Sequence, residues 1–137
     1  MAEIVETVEL RAPPDEVWAL VGDFATFADW HPAGSALTVE TRGEDTVRTV
    51  TIAGGDRLVE KLESQDPEAR VLSYSLVSGP FPVTSLVSTL SVAGGEDTST
   101  LTWKMSYEPK RGETSKAREI LEALAESGVQ GLKQRFG

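Results

Sequence analysis

The chain has no cysteine, one histidine and two methionines, and its aromatics are three tryptophans, two tyrosines and four phenylalanines. Without a thiol, disulfide staples, thiolate metal sites, thioether-linked haem and a cysteine nucleophile are all excluded. One histidine among scattered acids does not assemble a transition-metal site, so no metal and no other cofactor is expected. Long apolar runs are missing too, since nothing approaches the roughly 18 residues of a spanning helix. The segment from Met1 to Glu6 carries acids where a secretory or mitochondrial signal carries bases. A cytoplasmic protein without membrane insertion is expected. Positive charge is scarce: the formal net charge is −9, with residues 1–70 holding 15 acids against 6 bases and residues 71–137 holding 7 of each. Nucleic acid and anionic membrane both require a basic face that releases counterions, so neither is an expected partner. No Gly-x-Ser-x-Gly elbow, Walker loop, Gly-x-Gly-x-x-Gly or His-Glu-x-x-His occurs, which removes support for hydride transfer, phosphoryl transfer and metallohydrolysis. Any catalysis would fall to carboxylate, tyrosine, arginine or the lone histidine. Those groups serve proton transfer, cyclisation, dehydration or isomerisation in a dry pocket.

What is present reads as one domain over residues 1–137. A chain of this length buries about two thirds of the surface its unfolded form exposes, enough for one core with a cavity in it. Short runs of alternating apolar and polar residues, separated by glycine pairs or Asp-Pro, predict strands at Ile4–Leu10, Leu37–Thr41, Thr46–Ile52, Arg57–Ser64, Arg70–Val77, Thr84–Val92 and Thr100–Glu108. Pro13-Pro14-Asp15-Glu16 starts a short helix, with Val17, Leu20 and Val21 as its buried stripe and Gly22 at its end. Asp23 is expected to cap a second short helix carrying Phe24, Phe27 and Trp30, which Pro32 terminates. The only long helical stretch is Thr114–Phe136, with Ala117, Ile120, Leu121, Leu124, Gly128, Gly131 and Leu132 on one face. The expected class is α+β of the helix-grip kind: a seven-stranded curved antiparallel sheet around a long C-terminal helix, with two short helices after the first strand. Gly128 and Gly131 each cost about 1 kcal/mol relative to alanine. Either the backbone approaches the sheet or a ligand closely there, or the helix end is loosened.

Strand parity gives one face to Leu58, Glu60 and Leu62, to Leu72, Tyr74 and Leu76, to Leu86, Ser88, Leu90 and Val92, and to Leu101, Trp103, Met105 and Tyr107. The opposite faces carry Lys61, Glu63, Ser73, Ser75, Thr89, Thr102, Lys104 and Glu108. Glu60 is an anomaly on the apolar face, because an unpaired buried charge is costly enough to neutralise or find a partner. Arg48 shares the inward parity of Val50 and Ile52, and the Gly54-Gly55 turn brings it directly or diagonally opposite Glu60. The pair is either structural or the polar end of a pocket that orients a ligand. Tyr74, Ser88, Trp103 and Tyr107 add hydroxyl and indole donors to the same face, a composition that fits a small-molecule pocket. The lining expected from this face also includes Trp30, Val50, Ile52, Leu62, Leu76, Phe81, Leu86 and Met105, with Ile120, Leu124 and Gly128 from the helix. His31, in Trp30-His31-Pro32, reads either as a loop residue or as a group at the cavity mouth usable as a general base.

The chain resembles the START-like, or SRPBCC, superfamily of polyketide cyclase/dehydrase and lipid-transport proteins. The resemblance is carried by Ala12–Phe24, Trp30-His31-Pro32, Val47–Val50, Leu58–Leu62, Asp66–Tyr74 and Gly131-Leu132-Lys133. It is similar in particular to bacterial relatives of the plant abscisic-acid receptors. That likeness implies a pocket role for Glu60 and Tyr74, and ligand-closing loops at Ala53-Gly54-Gly55 and Phe81-Pro82-Val83. It stops at Ser35, Phe81 and Pro82, which stand where those receptors carry the lysine, histidine and arginine that serve the hormone. Abscisic acid is therefore not the expected ligand. The function expected first is binding or transport of a hydrophobic small molecule such as a lipid or polyketide. An aromatase/cyclase or dehydratase comes next, with Glu60 as acid/base, Arg48 tuning it or gripping an oxyanion, and Tyr74 or His31 assisting. A protein-interaction module is third. Monomer and homodimer both stay open.

Overall fold

The computed structural model describes residues 2–137. Their order is β1 (Ala2–Leu10), α1 (Pro14–Val21), α2 (Phe27–Trp30), β2 (Gly34–Arg42), β3 (Asp45–Ile52), β4 (Arg57–Asp66), β5 (Val71–Ser78), β6 (Val83–Gly94), β7 (Ser99–Pro109) and α3 (Thr114–Phe136). The strands form one antiparallel sheet in the order β1-β7-β6-β5-β4-β3-β2. Six of them run as a meander from β2 to β7, and β1 pairs with β7 at the far edge. This is the helix-grip arrangement, with the two short helices after the first strand.

Alternation explains most of it, because period-two patterning lets each strand bury one face and wet the other. β7 alternates buried and less buried residues from Ser99 through Tyr107. Register shifts in the β4–β5 pairing, between Val59 and Glu60 and between Leu62 and Ser64, mark bulges that bend the sheet. The β3–β4 hairpin turns through Gly54 and Gly55 at φ +90 and +86, a conformation that glycine adopts without the Cβ penalty. That turn fixes the register Arg48↔Glu60 and Val50↔Leu58.

Several predicted boundaries shift. β2 begins at Gly34 and β6 runs to Gly94. β5 starts at Val71, because Arg70 takes a left-handed φ of 55 that closes the Asp66–Arg70 turn. Asp23 does not cap α2. Its Oδ1 accepts from the Ala25 N–H at 2.9 Å, and a turn closed by the Thr26 N–H on the Asp23 carbonyl precedes Phe27, leaving Phe24 outside the helix.

α3 leaves β7 beyond Pro109 and ends where the Arg11 N–H donates to the Phe136 carbonyl, 3.2 Å away. It therefore crosses the concave face diagonally, packing against β1, β7 and α2. Its buried residues are Ala117, Leu121, Ala125, Gly128, Val129 and Leu132. Ile120 and Leu124, on the flank that continues to Gly128, are partly buried. The helix lies against the strands at Gly128, where a Cβ would lie 2.5 Å from Trp103 Cζ3 and 2.8 Å from His31 Cδ2. At Gly131 a Cβ would lie 2.5 Å from the Trp30 carbonyl oxygen. Of the two readings of these glycines, close approach is the one found, and protein atoms fill the space they leave.

Candidate functional site

Arg48 and Glu60 face each other directly across β3 and β4, and Arg48 Nε donates to Glu60 Oε1 at 2.9 Å. Both are almost inaccessible, at 1% and 5% exposure. The guanidinium also donates from Nη1 to the Phe24 carbonyl at 2.8 Å. Its Cζ lies 4.4 Å from the Phe24 ring centroid, 5.0 Å from that of Phe27 and 4.3 Å from that of Tyr74. Three aromatic faces thus replace much of the hydration that burial removes, each contact contributing about 0.5 to 2 kcal/mol. Phe24 and Phe27 are neighbours of the pair that strand parity could not find. They come from the segment around α2, and only their spacing from Trp30 marked that segment as inward-facing.

Burial pushes the Glu60 carboxyl above its ordinary value, and the adjacent Arg48 charge and hydrogen bond offset part of that rise. Burial likewise pushes the Tyr74 phenol well up, with the Glu60 charge acting in the same direction. Tyr74 therefore stays a neutral hydroxyl that can donate a proton in a hydrogen bond. Ser88, its partner in the β5–β6 register, and Arg48 both lie close enough to the Tyr74 hydroxyl to offset part of that rise, although neither contact reaches full hydrogen-bonding geometry.

Two further polar atoms of this face are equally without partners: Arg48 Nη2 and Trp103 Nε1. Leaving a buried donor unmade costs about 1 to 3 kcal/mol, and native interiors satisfy nearly all of them. Ser99 Oγ is a fourth, at the other end of the sheet beside Leu10.

His31 occupies a different position from the cavity mouth considered above. It is 1% exposed and stacks on Phe27 at 4.7 Å. Nδ1 accepts from the Ala33 N–H at 3.0 Å, so the proton resides on Nε2, which donates to the Leu124 carbonyl at 2.8 Å. The ring is a neutral link between the α2 segment and the middle of α3. Burial holds its pKa below the ordinary 6.5, and the Leu124 hydrogen bond offsets part of that fall.

The remaining expected lining divides by depth. Trp30, Val50, Leu86, Ser88, Met105 and Tyr107 are buried, and Phe81 turns inward from the β5–β6 loop at 7% exposure. Ile52, Leu62, Leu76, Ile120 and Leu124 are only partly buried. Of these, Ile52 and Leu76 lie towards the end of the sheet where α3 begins, Ile120 and Leu124 lie in the first half of α3, and Leu62 lies beside Tyr74. Surface depressions of about 480 and 310 Å³ lie elsewhere, one on the solvent face of α3 around Arg118 and Glu122, the other along Thr38, Thr49, Thr51 and Arg57. Among the described residues no group of three or more His, Asp or Glu could hold a metal, and no helix is long and apolar enough to cross a membrane.

The sequence matches the family described as "Polyketide cyclase / dehydrase and lipid transport" over residues 1–137. The chain belongs to that family. Solved structures agree with the assignment. The Bacillus cereus protein XoxI is 30% identical with a TM-score of 0.92, covering 99% of this chain and 96% of its own. A Thermobifida fusca protein is 32% identical with a TM-score of 0.86, covering 100% and 94%. The Zhui aromatase/cyclase from Streptomyces sp. R1128 is 21% identical with a TM-score of 0.75, covering 95% and 87%, a likeness of fold alone. No curated protein matches the chain. Within this polyketide cyclase/dehydrase family member, the Arg48–Glu60 pair and its aromatic cage stand at the centre of the concave face.

Proposed function

We propose that the protein binds a largely apolar small molecule, of lipid or polyketide class, on the concave face of its sheet, with Arg48, Glu60 and Tyr74 at the polar end. The observation that carries this reading is the trio of buried, unpartnered donors on one face: Arg48 Nη2, the Tyr74 hydroxyl and Trp103 Nε1. A core evolved only for packing would have satisfied or replaced them. Pockets for small molecules are mostly apolar with a few convergent polar groups, and this face has that make-up. The family description, which includes lipid transport, supports the same class of ligand. The shell around the trio is closed, so admission requires side chains to move. Phe81 in its exposed loop and the partly buried Ile52, Leu76, Ile120 and Leu124 are the ones placed to do so. Native mass spectrometry of gently purified protein, with a thermal-shift screen of hydrophobic metabolites, tests the reading. A retained or stabilising apolar ligand is expected. No ligand mass and no stabilisation across the screen would reject it.

A second reading, catalysis, rests on Glu60: a carboxyl with a raised pKa beside a guanidinium is suited to acid/base work. In that reading Glu60 protonates a departing hydroxyl or takes a proton beside a carbonyl, Arg48 stabilises the oxyanion, and Tyr74 assists. Glu60→Gln should abolish turnover of a polyketide-like substrate in a protein that remains folded. Retained turnover would remove the mechanism.

A further inference from the structure

Two side-chain hydrogen bonds tie the connector between α1 and β2, residues 23–33, to β3 and α3. Near its start Arg48 Nη1 donates to the Phe24 carbonyl at 2.8 Å, and near its end His31 Nε2 donates to the Leu124 carbonyl in the middle of α3, also at 2.8 Å. Between them the Phe27 ring meets both groups, lying 5.0 Å from the Arg48 Cζ and stacking on the imidazole at 4.7 Å. The connector thus covers the Arg48–Glu60 pair and is fastened to the helix by one titratable side chain.

That fastening is built for a neutral ring. Nδ1 is the acceptor for the Ala33 N–H at 3.0 Å, so a proton added there would set donor against donor. The ring is buried, and α3 comes so close that a Cβ on residue 128 would stand 2.8 Å from Cδ2. The groups facing it are uncharged: Phe27 and Trp30 from α2, Trp103 from β7, Leu124 and Gly128 from α3. The charged groups on and behind those elements are Asp29, Lys104, Glu122 and Glu126, all at least partly exposed, Glu6 opposite Trp103 on β1, and the matched Arg48–Glu60 pair. Among the described residues no carboxylate forms an ion pair with the imidazole. An imidazolium would gain no new partner, and it would add a second cation beside the ring that already faces Arg48.

We propose that residues 23–33 form a strap over the Arg48–Glu60 pair which His31 latches to α3, and that protonation of His31 releases the strap and opens the site to ligand exchange. The inference rests on the binding reading above only for what passes beneath the strap. Burial holds the ring's pKa below 6.5 while the strap is closed, whereas an imidazole freed into water titrates at about 6.5. The latch is therefore complete above that value. Each pH unit below it multiplies the open population by up to about ten, until the closed ring itself protonates.

Amide hydrogen exchange on the whole protein at about pH 7.5 and about pH 5, corrected for intrinsic rates, reads the latch directly. Peptides from residues 23–33 should lose protection about tenfold or more in acid relative to β4 and β5, and unchanged relative protection would overturn the inference. His31→Gln keeps a donor for Leu124, does not titrate and leaves Glu60 in place, so it should abolish the difference. A loss of protection that persists in this variant would assign the opening to another group and equally overturn the inference. Where the variant does not fold, nitrogen NMR of the labelled histidine in the wild type decides: protonation of the ring while β4 and β5 stay protected supports the latch, and protonation only on global unfolding contradicts it. Acetylnaphthalene, a neutral probe that does not titrate, follows the site itself, and its release in stopped-flow fluorescence should quicken about tenfold over the same range. Release that does not change with pH would show that the latch does not control the site. Opening in acid with no acetylnaphthalene bound at any pH would leave the latch standing and remove the pocket.

Discussion

Removing the Glu60 carboxylate would leave a guanidinium buried among Phe24, Phe27 and Tyr74 with its charge uncompensated. Glu60→Gln should therefore destabilise the fold by about 3 to 5 kcal/mol, the usual result of breaking a buried pair. Arg48→Met with Glu60→Leu removes both charges and should recover most of that loss in urea unfolding, since the pair itself contributes little net stability. Equal losses in the single and double variants would mean that the aromatic cage, not the pair, needs the guanidinium. His31 gives a separate pH signature. Its folded pKa lies below the unfolded 6.5, so as pH falls the unfolded chain takes up the proton first. Its contribution is then complete above 6.5 and declines below it, until the folded ring itself protonates. Glu60 runs oppositely: its folded pKa lies above 4.5, so its contribution is greatest in acid and fades as pH rises through the folded value. Thermal midpoints of the wild type and of His31→Gln, compared from about pH 8 to about pH 5, isolate the histidine. The two curves should converge in acid, and parallel curves would contradict this account of His31.

At the scale of elements, α3 meets the sheet at Gly128 and the segment Trp30–Pro32 at Gly128 and Gly131. Alanine normally stabilises a helix interior by about 1 kcal/mol over glycine, so the sign of the effect tests the packing. Gly128→Ala presses on Trp103 and His31, and Gly131→Ala on the Trp30 backbone, so both should destabilise by about 1 to 3 kcal/mol. Gly95→Ala, which meets nothing and has an ordinary φ, should fall within about 0.5 kcal/mol of wild type. Stabilisation at Gly128 would show that the helix stands off the sheet. The elements were largely legible in the sequence, because a half-buried antiparallel strand writes its period into its residues. The same parity placed Arg48 opposite Glu60, since a two-glycine turn fixes the register between them. The segment from Asp23 to Gly34 was not legible. Its α2 is a single turn with no period to read, and the burial of His31 depends on Leu124, 93 residues away. Phe24 and Phe27 joined the site for the same reason: their contacts with Arg48 are tertiary, and alternation carries no signal for them.

Taken whole, the molecule is an open sheet with β1 and β2 at its edges and a helix that covers chiefly the β1–β7 side. The concave face of β3, β4 and β5 is closed instead by the Phe24–Trp30 segment and by Phe81. Loops and single-turn elements open at lower free energy than the strands of a sheet, and the proposed binding requires such an opening here. The claim that binding happens behind this shell is tested most directly by nitrogen–proton correlation NMR of the labelled protein titrated with acetylnaphthalene. The three indole N–H signals come from Trp18, Trp30 and Trp103, and the account predicts that the Trp103 signal moves furthest as its orphan donor gains a partner. Shifts confined to the solvent face of α3 or to the Thr38–Arg57 depression, with the Trp103 indole unmoved at saturation, would contradict it.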